Sequence, residues 1–372
     1  MSRDATVILW AQAVRAFAYG LGAVLLGTTL DERGLSSVEV GIVLAAVVAG
    51  TVLASVAVGR WGDRFGRRRF YAWLYVALAM VGVVFASVSA TWLLVLAALT
   101  GALSTEVVES GPFTSLEQAM LASELTGRTR VRGFGVYNAV ATAAGSLGAL
   151  AATAPELLRH VWSGAPSDER WFWLFVPAAA AGVVLASRLS STVEAPLTTS
   201  DATAAPTRTQ ASAGLGRSRP TVARLAVLFA TDSFGGGFVI QSFIAFWLTR
   251  RFGATTATIG LVFFAFGVLQ TASFLAAPRL AERFGLLSTM VFTHLPSNLL
   301  LVAVAFAPNL GIAVALLLAR VALSQMDVPT RQAYVMALVA PHERTAAAAY
   351  TNTARYLARP AGPALAGATA SM

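Results

Sequence analysis

The chain has 372 residues, 56% of them apolar and 12% charged, with a mean hydropathy of +0.68. A water-soluble domain of this length carries far more charge, and the absence of cysteine excludes disulfides, thiolate nucleophiles and cysteine-held metals. All 27 basic residues are arginine, against 18 acidic ones, which excludes lysine Schiff-base chemistry and leaves a net charge of +9 whose placement needs a reason.

Apolar runs long enough to cross about 30 Å of hydrocarbon occur at 7–30, 36–58, 70–89, 91–113, 132–153 and 171–189, then at 222–248, 256–278, 286–306, 309–334 and 345–370. Every backbone amide in lipid needs an internal partner, so these eleven runs are predicted transmembrane helices of an all-α membrane protein. The first run is too long for a signal peptide and lacks a convincing processing site. Residues 154–170 read as a mixed loop. Residues 190–221, rich in Ser, Thr, Ala and Pro without apolar periodicity, read as a flexible linker. The chain thus divides into a six-helix half, 1–189, a cytoplasmic linker, 190–221, and a second half, 222–372. With the N-terminus in the cytoplasm, seventeen arginines lie in loops and ends on that side and five on the other. That satisfies the positive-inside rule, so the basic balance reports topology and not nucleic-acid binding.

The loop between the second and third runs reads Gly59-Arg60-Trp61-Gly62-Asp63-Arg64-Phe65-Gly66-Arg67-Arg68-Arg69. At an offset of 219, Arg60, Asp63, Arg64, Phe65 and Gly66 match Arg279, Glu282, Arg283, Phe284 and Gly285, while Gly34 and Gly41 match Gly253 and Gly260. At an offset of 214, Gln118-Ala119 matches Gln332-Ala333, Arg130 matches Arg344, Asn138 matches Asn352 and Gly148 matches Gly362. A glycine-hinged basic loop repeated in both halves resembles the loop between the second and third helices of the major facilitator superfamily (MFS) of transporters. That resemblance implies an MFS-type bundle of two pseudo-symmetric six-helix halves. The chain stops at Met372, at the end of the eleventh run, so a twelfth helix is missing, which reads as truncation.

The resemblance also implies roles. In the family pattern the aspartate, here Asp63, faces the positive N-terminal end of a helix in the other half, which by repeat logic is the eleventh, near Arg344 and Thr345. The following basic residue, Arg67, pairs with a carboxylate at the cytoplasmic end of helix four, for which Glu117 is the expected partner. Gly59, Asp63, Arg64, Gly66, Arg67 and Glu117, with Glu282 and Arg283 of the second copy, form the predicted conformational-switch loop. Trp61 departs from the pattern, which has a smaller aliphatic there.

Ionisable residues inside the runs cost about 2.5–3.5 kcal/mol each at mid-membrane. They are Arg15 in helix one, Glu106 and Glu109 in helix four, Asp232 in helix seven, and Arg320 and Asp327 in helix ten. In the resembling family those four helices line the central cavity, so the six residues are the predicted substrate and proton cavity; internal ion pairing is the overlapping alternative. Arg320, Ser324, Asp327 and Arg331 share one face at helical spacing, as do Glu106 and Glu117, and Pro112 and Pro329 should kink these helices. Under the repeat Glu106 matches Arg320 and Glu117 matches Arg331, which predicts that Glu106 and Arg320 face each other or a shared ligand. Gly235-Gly236-Gly237, just after Asp232, predicts unwinding or close packing. His294 falls in peripheral helix nine and is expected to bond locally; His160 and His342 fall in loops.

No cluster has metal-ligand spacing and no glycine-rich phosphate loop carries a lysine, so no metal, cofactor or ATP drive is expected. No nucleophile–base pair can be assembled, which argues against an enzyme. The reading is a monomeric, multi-pass secondary active transporter of the cytoplasmic membrane, N-terminus inside, exporting a small organic solute by alternating access with protons as coupling ion. The alternatives are uptake or exchange of an organic anion held by Arg15 and Arg320, and a non-transporting receptor or accessory protein of the same fold.

Overall fold

A computed structural model describes residues 2–33, 35, 37–104, 111–125, 128–152, 154, 158, 168–194, 215–237, 244, 247–248, 251–254 and 256–358. Among them all regular structure is helical: α1 (Arg3–Glu32), α2 (Ser37–Phe65), α3 (Arg67–Ser87), α4 (Thr91–Leu99), α5 (Pro112–Glu124), α6 (Arg128–Ala151), α7 (Phe175–Ser187), α8 (Arg219–Gly237), α9 (Thr256–Phe284), α10 (Leu286–Ala305), α11 (Leu310–Ser324), α12 (Asp327–Leu338) and α13 (Arg344–Ala358). Short 3₁₀ turns occupy Asp168–Leu174, Ser191–Val193 and Pro341–Glu343. Six helical stretches of the described residues are long and apolar enough to cross a membrane, fewer than the eleven expected. Large apolar side chains such as Trp73, Trp92, Phe292 and Phe306 point outward, as lipid-facing helices require.

Two expected helices are interrupted. The fourth run ends as α4 at Leu99 and resumes as α5 with Pro112 in its first turn, where a missing N–H costs nothing. Gly111, at φ +123°, precedes α5; the expected shared face of Glu106 and Glu117 falls partly outside the described residues. In the tenth run, α11 stops at Ser324 and α12 starts at Asp327. Gln325 and Met326 between them keep right-handed helical dihedrals, so the run from Leu310 to Leu338 continues with a local break just before Pro329. By contrast α8 stays helical through Gly237, and Gly235 has open space beside it, so this glycine serves neither unwinding nor tight packing.

Helix contacts repeat in pairs. α1 packs on α6 as α8 packs on α13; α2 packs on α13 as α9 packs on α6; α5 meets α13 as α12 meets α6. Helices before residue 195 and after residue 214 therefore face each other along two equivalent seams. In one, a Cβ on Gly59 would lie 2.8 Å from the Ala349 Cβ; in the other, a Cβ on Gly135 would lie 2.5 Å from the Phe274 carbonyl oxygen, with Pro278 beside it. The repeat offsets equate Gly59 with Pro278 and Ala349 with Gly135. Each seam needs one residue without a side chain, and the glycine has changed sides between them.

Candidate functional site

At the arginine-rich end of the bundle the sequence of α2 turns directly into α3 through Gly66, whose φ of +91° lies in the left-handed region that favours glycine. The turn leaves the first α3 amides unpaired by the helix, and Glu194 takes them: its carboxylate accepts from the Arg67 N–H at 2.6 Å and the Arg68 N–H at 3.3 Å. Asp63 Oδ1 accepts from Arg67 Nε at 2.7 Å and from the Thr345 hydroxyl at 2.8 Å. Thr345 lies in the first turn of α13, so the aspartate sits at that helix N-terminus. Arg67 is fully buried and spends its remaining N–H groups on Ser123 Oγ, the Val193 carbonyl and the Pro341 carbonyl. Arg344 adds a bond to the Ala122 carbonyl at 3.0 Å, at the C-terminal end of α5. Burial, with Arg130 and Arg67 as like-charged neighbours, pushes the Arg344 guanidinium down to about 10.

Deeper in, the two seams carry a reciprocal pair of amide contacts. Asn138 on α6 donates to Gln332 on α12 at 2.8 Å, and Asn352 on α13 donates to Gln118 on α5 at 3.3 Å. The 214-residue offset matches Gln118 with Gln332 and Asn138 with Asn352, so each contact is the repeat image of the other.

Glu117 is not the partner of Arg67, and that expectation is corrected. It lies with Arg15 in a sealed cluster where both side chains are fully buried. Arg15 donates through Nε at 3.1 Å and Nη2 at 2.8 Å, while the Tyr71 and Tyr137 hydroxyls donate at 2.7 and 2.6 Å. The Arg15 guanidinium also lies over the rings of Tyr19 and Phe113, 5.1 and 5.6 Å from their centroids. The physical reason is competition: a buried carboxylate takes the partner that neutralises it with two bonds, and Arg67 has Asp63 four residues away. Glu124, the last residue of α5, accepts from the Thr192 hydroxyl at 2.9 Å.

The matching position in the other group of helices, Arg331, centres a second cluster. Arg331 pairs with Asp327 one turn earlier on α12 and lies over the Phe229 ring at 5.6 Å. His294 on α10 reaches Asp232 on α8 at 2.8 Å and lies 3.9 Å from Asp327. Unlike the sealed cluster, this one is open: the His294 and Asp232 side chains are 33% and 34% exposed. His294 is thus not peripheral, and sequence reasoning missed it. The repeat held the signal, since the 219-residue offset equates His294 with Tyr75, whose hydroxyl reaches the Ala11 carbonyl on α1, as His294 reaches α8.

Other predicted residues fare differently. Arg64, Glu282 and Arg283 are exposed, and among the described residues none makes a hydrogen bond; Arg283 only stacks on neighbouring Phe284. The second copy of the loop therefore lacks the network of the first. Arg320 is partly buried, with its Nε shielded and without a hydrogen-bond partner. Glu106 and Glu109, and with them the expected Glu106–Arg320 pairing, lie outside the described residues.

Two groups of helices repeat each other's contacts around buried charges, which defines a pseudo-symmetric helical bundle. The sequence profile of the Major Facilitator Superfamily matches residues 8–363, and the chain belongs to that family. It is 26% identical to the uncharacterized membrane protein YJR124C of Saccharomyces cerevisiae, across 100% of this chain and 88% of that protein. Among solved structures it is similar to the human organic anion transporter MFSD10, at a TM-score of 0.74 and 17% identity, over 98% of this chain and 93% of that one. The proton:xylose symporter XylE matches at a TM-score of 0.67 and 15% identity, over 95% and 86%. A bacterial homologue of the iron transporter ferroportin, in an outward-facing state, matches at 0.67 and 15%, over 100% and 92%. At these identities the likeness to solved structures is one of fold.

Proposed function

We propose that this transporter exports a small organic solute by alternating access, with protons entering in exchange through the His294–Asp232–Asp327 cluster. The observation that carries the reading is the imidazole itself: it stands between two carboxylates, and a third of it is exposed. A proton arriving there adds one positive charge beside two carboxylates that already face the Arg331 and Arg355 guanidinium groups. The sealed Arg15–Glu117 pair offers no such exchange, so on this reading coupling rests on Asp232 and Asp327 together with His294. The Asp63–Arg67–Thr345 network serves as the latch that closes the arginine-rich, cytoplasmic end. Solute flux in proteoliposomes under an imposed proton gradient tests this: wild-type flux collapses when the gradient is dissipated, and His294→Gln retains exchange while losing gradient-driven accumulation. Unchanged accumulation in His294→Gln refutes the coupling role.

A second reading has its own support. Arg320 is a partly buried cation with an unpartnered Nε, and a similar fold belongs to a human organic anion transporter. On that reading Arg320 holds an anionic solute, and Arg320→Gln abolishes binding of organic anions while sparing the proton response.

A further inference from the structure

The chain leaves α7 through Arg188 and Leu189 and enters the 3₁₀ turn Ser191–Val193. This short stretch straps the first group of helices together at its arginine-rich end. Leu189 and Val193 are buried in the core of that group, whereas Ser190, Ser191 and Thr192 are exposed. Ser190 caps the turn, its Oγ accepting from the Thr192 N–H at 3.3 Å. It also meets the buried Asp4 carboxylate of α1: its N–H donates to Oδ1 at 3.2 Å and its hydroxyl donates to Oδ2. The Thr192 hydroxyl lies 3.1 Å from the same Oδ2 and 2.9 Å from Glu124 Oε1 at the end of α5. Among the described residues, every hydrogen bond onto the Asp4 side chain comes from Ser190 and Thr192.

Two carboxylates are thus joined through two hydroxyls, each with a single proton to give. Arg3, the cation acting on Asp4, is exposed and so screened by solvent. A phosphate on Ser190 Oγ removes the proton that Asp4 receives and places about −1.5 to −2 charge beside it. Like-charge repulsion then drives the turn off α1. The same phosphate on Ser191, whose side chain makes no hydrogen bond among the described residues, breaks nothing. Arg188 is exposed two residues before Ser190, and protein kinases choose their hydroxyls by such charge patterns. The proposed topology puts this end in the cytoplasm, where nucleoside triphosphates are.

We infer that Ser190 is a phosphorylation site whose modification releases the turn from Asp4 and Glu124. In the transfer the Ser190 oxygen bonds to the γ-phosphorus of a nucleoside triphosphate held by an arginine-directed protein kinase. The hydroxyl proton passes to the kinase's carboxylate base, the P–O bond to the diphosphate breaks, and nucleoside diphosphate leaves. Because the docked hydroxyl is engaged by Asp4, the kinase takes the undocked turn, and the phosphate prevents its return. Release also withdraws the Val193 carbonyl from Arg67 Nη1 and Glu194 from the first α3 amides. Phosphorylation therefore loosens the closed cytoplasmic end, a consequence that rests on the reading of Asp63, Arg67 and Thr345 as a latch.

The test uses the full chain in lipid nanodiscs. Because the chain has no cysteine, two buried positions serve as reporters for maleimide labelling. Val193→Cys reports release of the turn, and Ala346→Cys, in the α2–α13 seam, reports opening of the closed end. Ser190→phosphoserine, installed during translation, speeds labelling of Val193→Cys roughly 10–100-fold, the factor matching loss of one hydrogen bond to a charged group. It speeds labelling of Ala346→Cys several-fold. Ser191→phosphoserine carries the same charge one residue on and leaves both rates unchanged. Equal effects from the two positions, or no effect from Ser190→phosphoserine, overturn the release. Treating the unmodified chain with a purified arginine-directed serine/threonine kinase and ATP, then mapping by mass spectrometry, places phosphate on Ser190. It appears there faster in Asp4→Asn, where the turn is loosened. Phosphate confined to Ser191, or absent from Ser190 in both proteins, overturns the modification. A Ser190→phosphoserine that frees Val193→Cys but not Ala346→Cys overturns the link to the closed end. Asp63→Asn tells this apart from failure of the latch reading: it speeds Ala346→Cys labelling by itself if the latch exists, and leaves it unchanged if not.

Discussion

Removing either member of the Arg15–Glu117 pair should damage the protein more than removing both. Arg15→Leu leaves a fully buried carboxylate whose two guanidinium bonds are gone, and Glu117→Gln leaves a fully buried guanidinium without its counter-ion. Breaking one partner of a buried pair costs about 3–5 kcal/mol. In Arg15→Leu/Glu117→Gln no charge remains. The new amide still accepts from one of Tyr71 or Tyr137 and donates to the hydroxyl of the other, so the residual loss should be about 1–2 kcal/mol. A double-mutant cycle then gives a coupling energy of several kcal/mol. Thermal unfolding of the purified protein in detergent, followed by size-exclusion recovery, measures it. Additive losses, with the double variant as damaged as the two singles together, would refute an ion pair as the reason these residues are buried. The same cycle on Arg67 and Glu117 should show no coupling, since Arg67 bonds elsewhere.

Other perturbations separate the latch from the seams. Asp63→Asn, which weakens the bonds to Arg67 and Thr345, should speed labelling of a cysteine at Ala346 while leaving equilibrium solute binding within a few-fold; slower labelling would contradict the latch. Gly135→Leu forces a side chain into the Phe274 carbonyl and should hold the α6–α9 seam apart, lowering flux at normal expression, whereas Gly235→Leu, facing open space, should transport normally. Burial alone would raise the Glu343 carboxyl, but the Ser218 hydroxyl and the Gly216 and Ser218 amides outweigh it and hold it below its ordinary 4.5. Its tie to residues 216–218 is therefore fully present above that value and lost as pH falls through the depressed one. Amide exchange at Gly216 should accelerate on acidification in wild type, and Glu343→Gln should flatten that response.

Repetition made much of the architecture legible. The family resemblance implied that Asp63 faces a helix N-terminus in the other half, and the repeat identified that helix as the one opening near Thr345, where the Thr345 hydroxyl does reach Asp63. Charge pairing was less legible. Glu117 was given to Arg67 by family pattern, but the choice between two buried cations is decided by which can offer two bonds at no cost to another carboxylate, a three-dimensional competition. Hydrophobicity hid the interruptions at Gly111 and at Gln325–Met326, since an apolar run reads the same whether or not its helix is continuous. His294 was misread because one helix was treated by its usual position and not by its register against Tyr75.

The sealed pair also bears on how the protein is made. Arg15 and Glu117 are 102 residues apart, so α1 reaches the bilayer before its counter-charge has been translated. At about 5–20 residues per second, the guanidinium waits on the order of 5–20 s at a cost of about 2.5–3.5 kcal/mol on insertion scales. During that interval the first helix has reason to stay beside the insertion machinery, and α5 is the segment that releases it. Nascent chains arrested before Glu117 should therefore crosslink from α1 to the translocon, and chains arrested after α6 has emerged should not; equal crosslinking from both would show that α1 enters lipid unassisted.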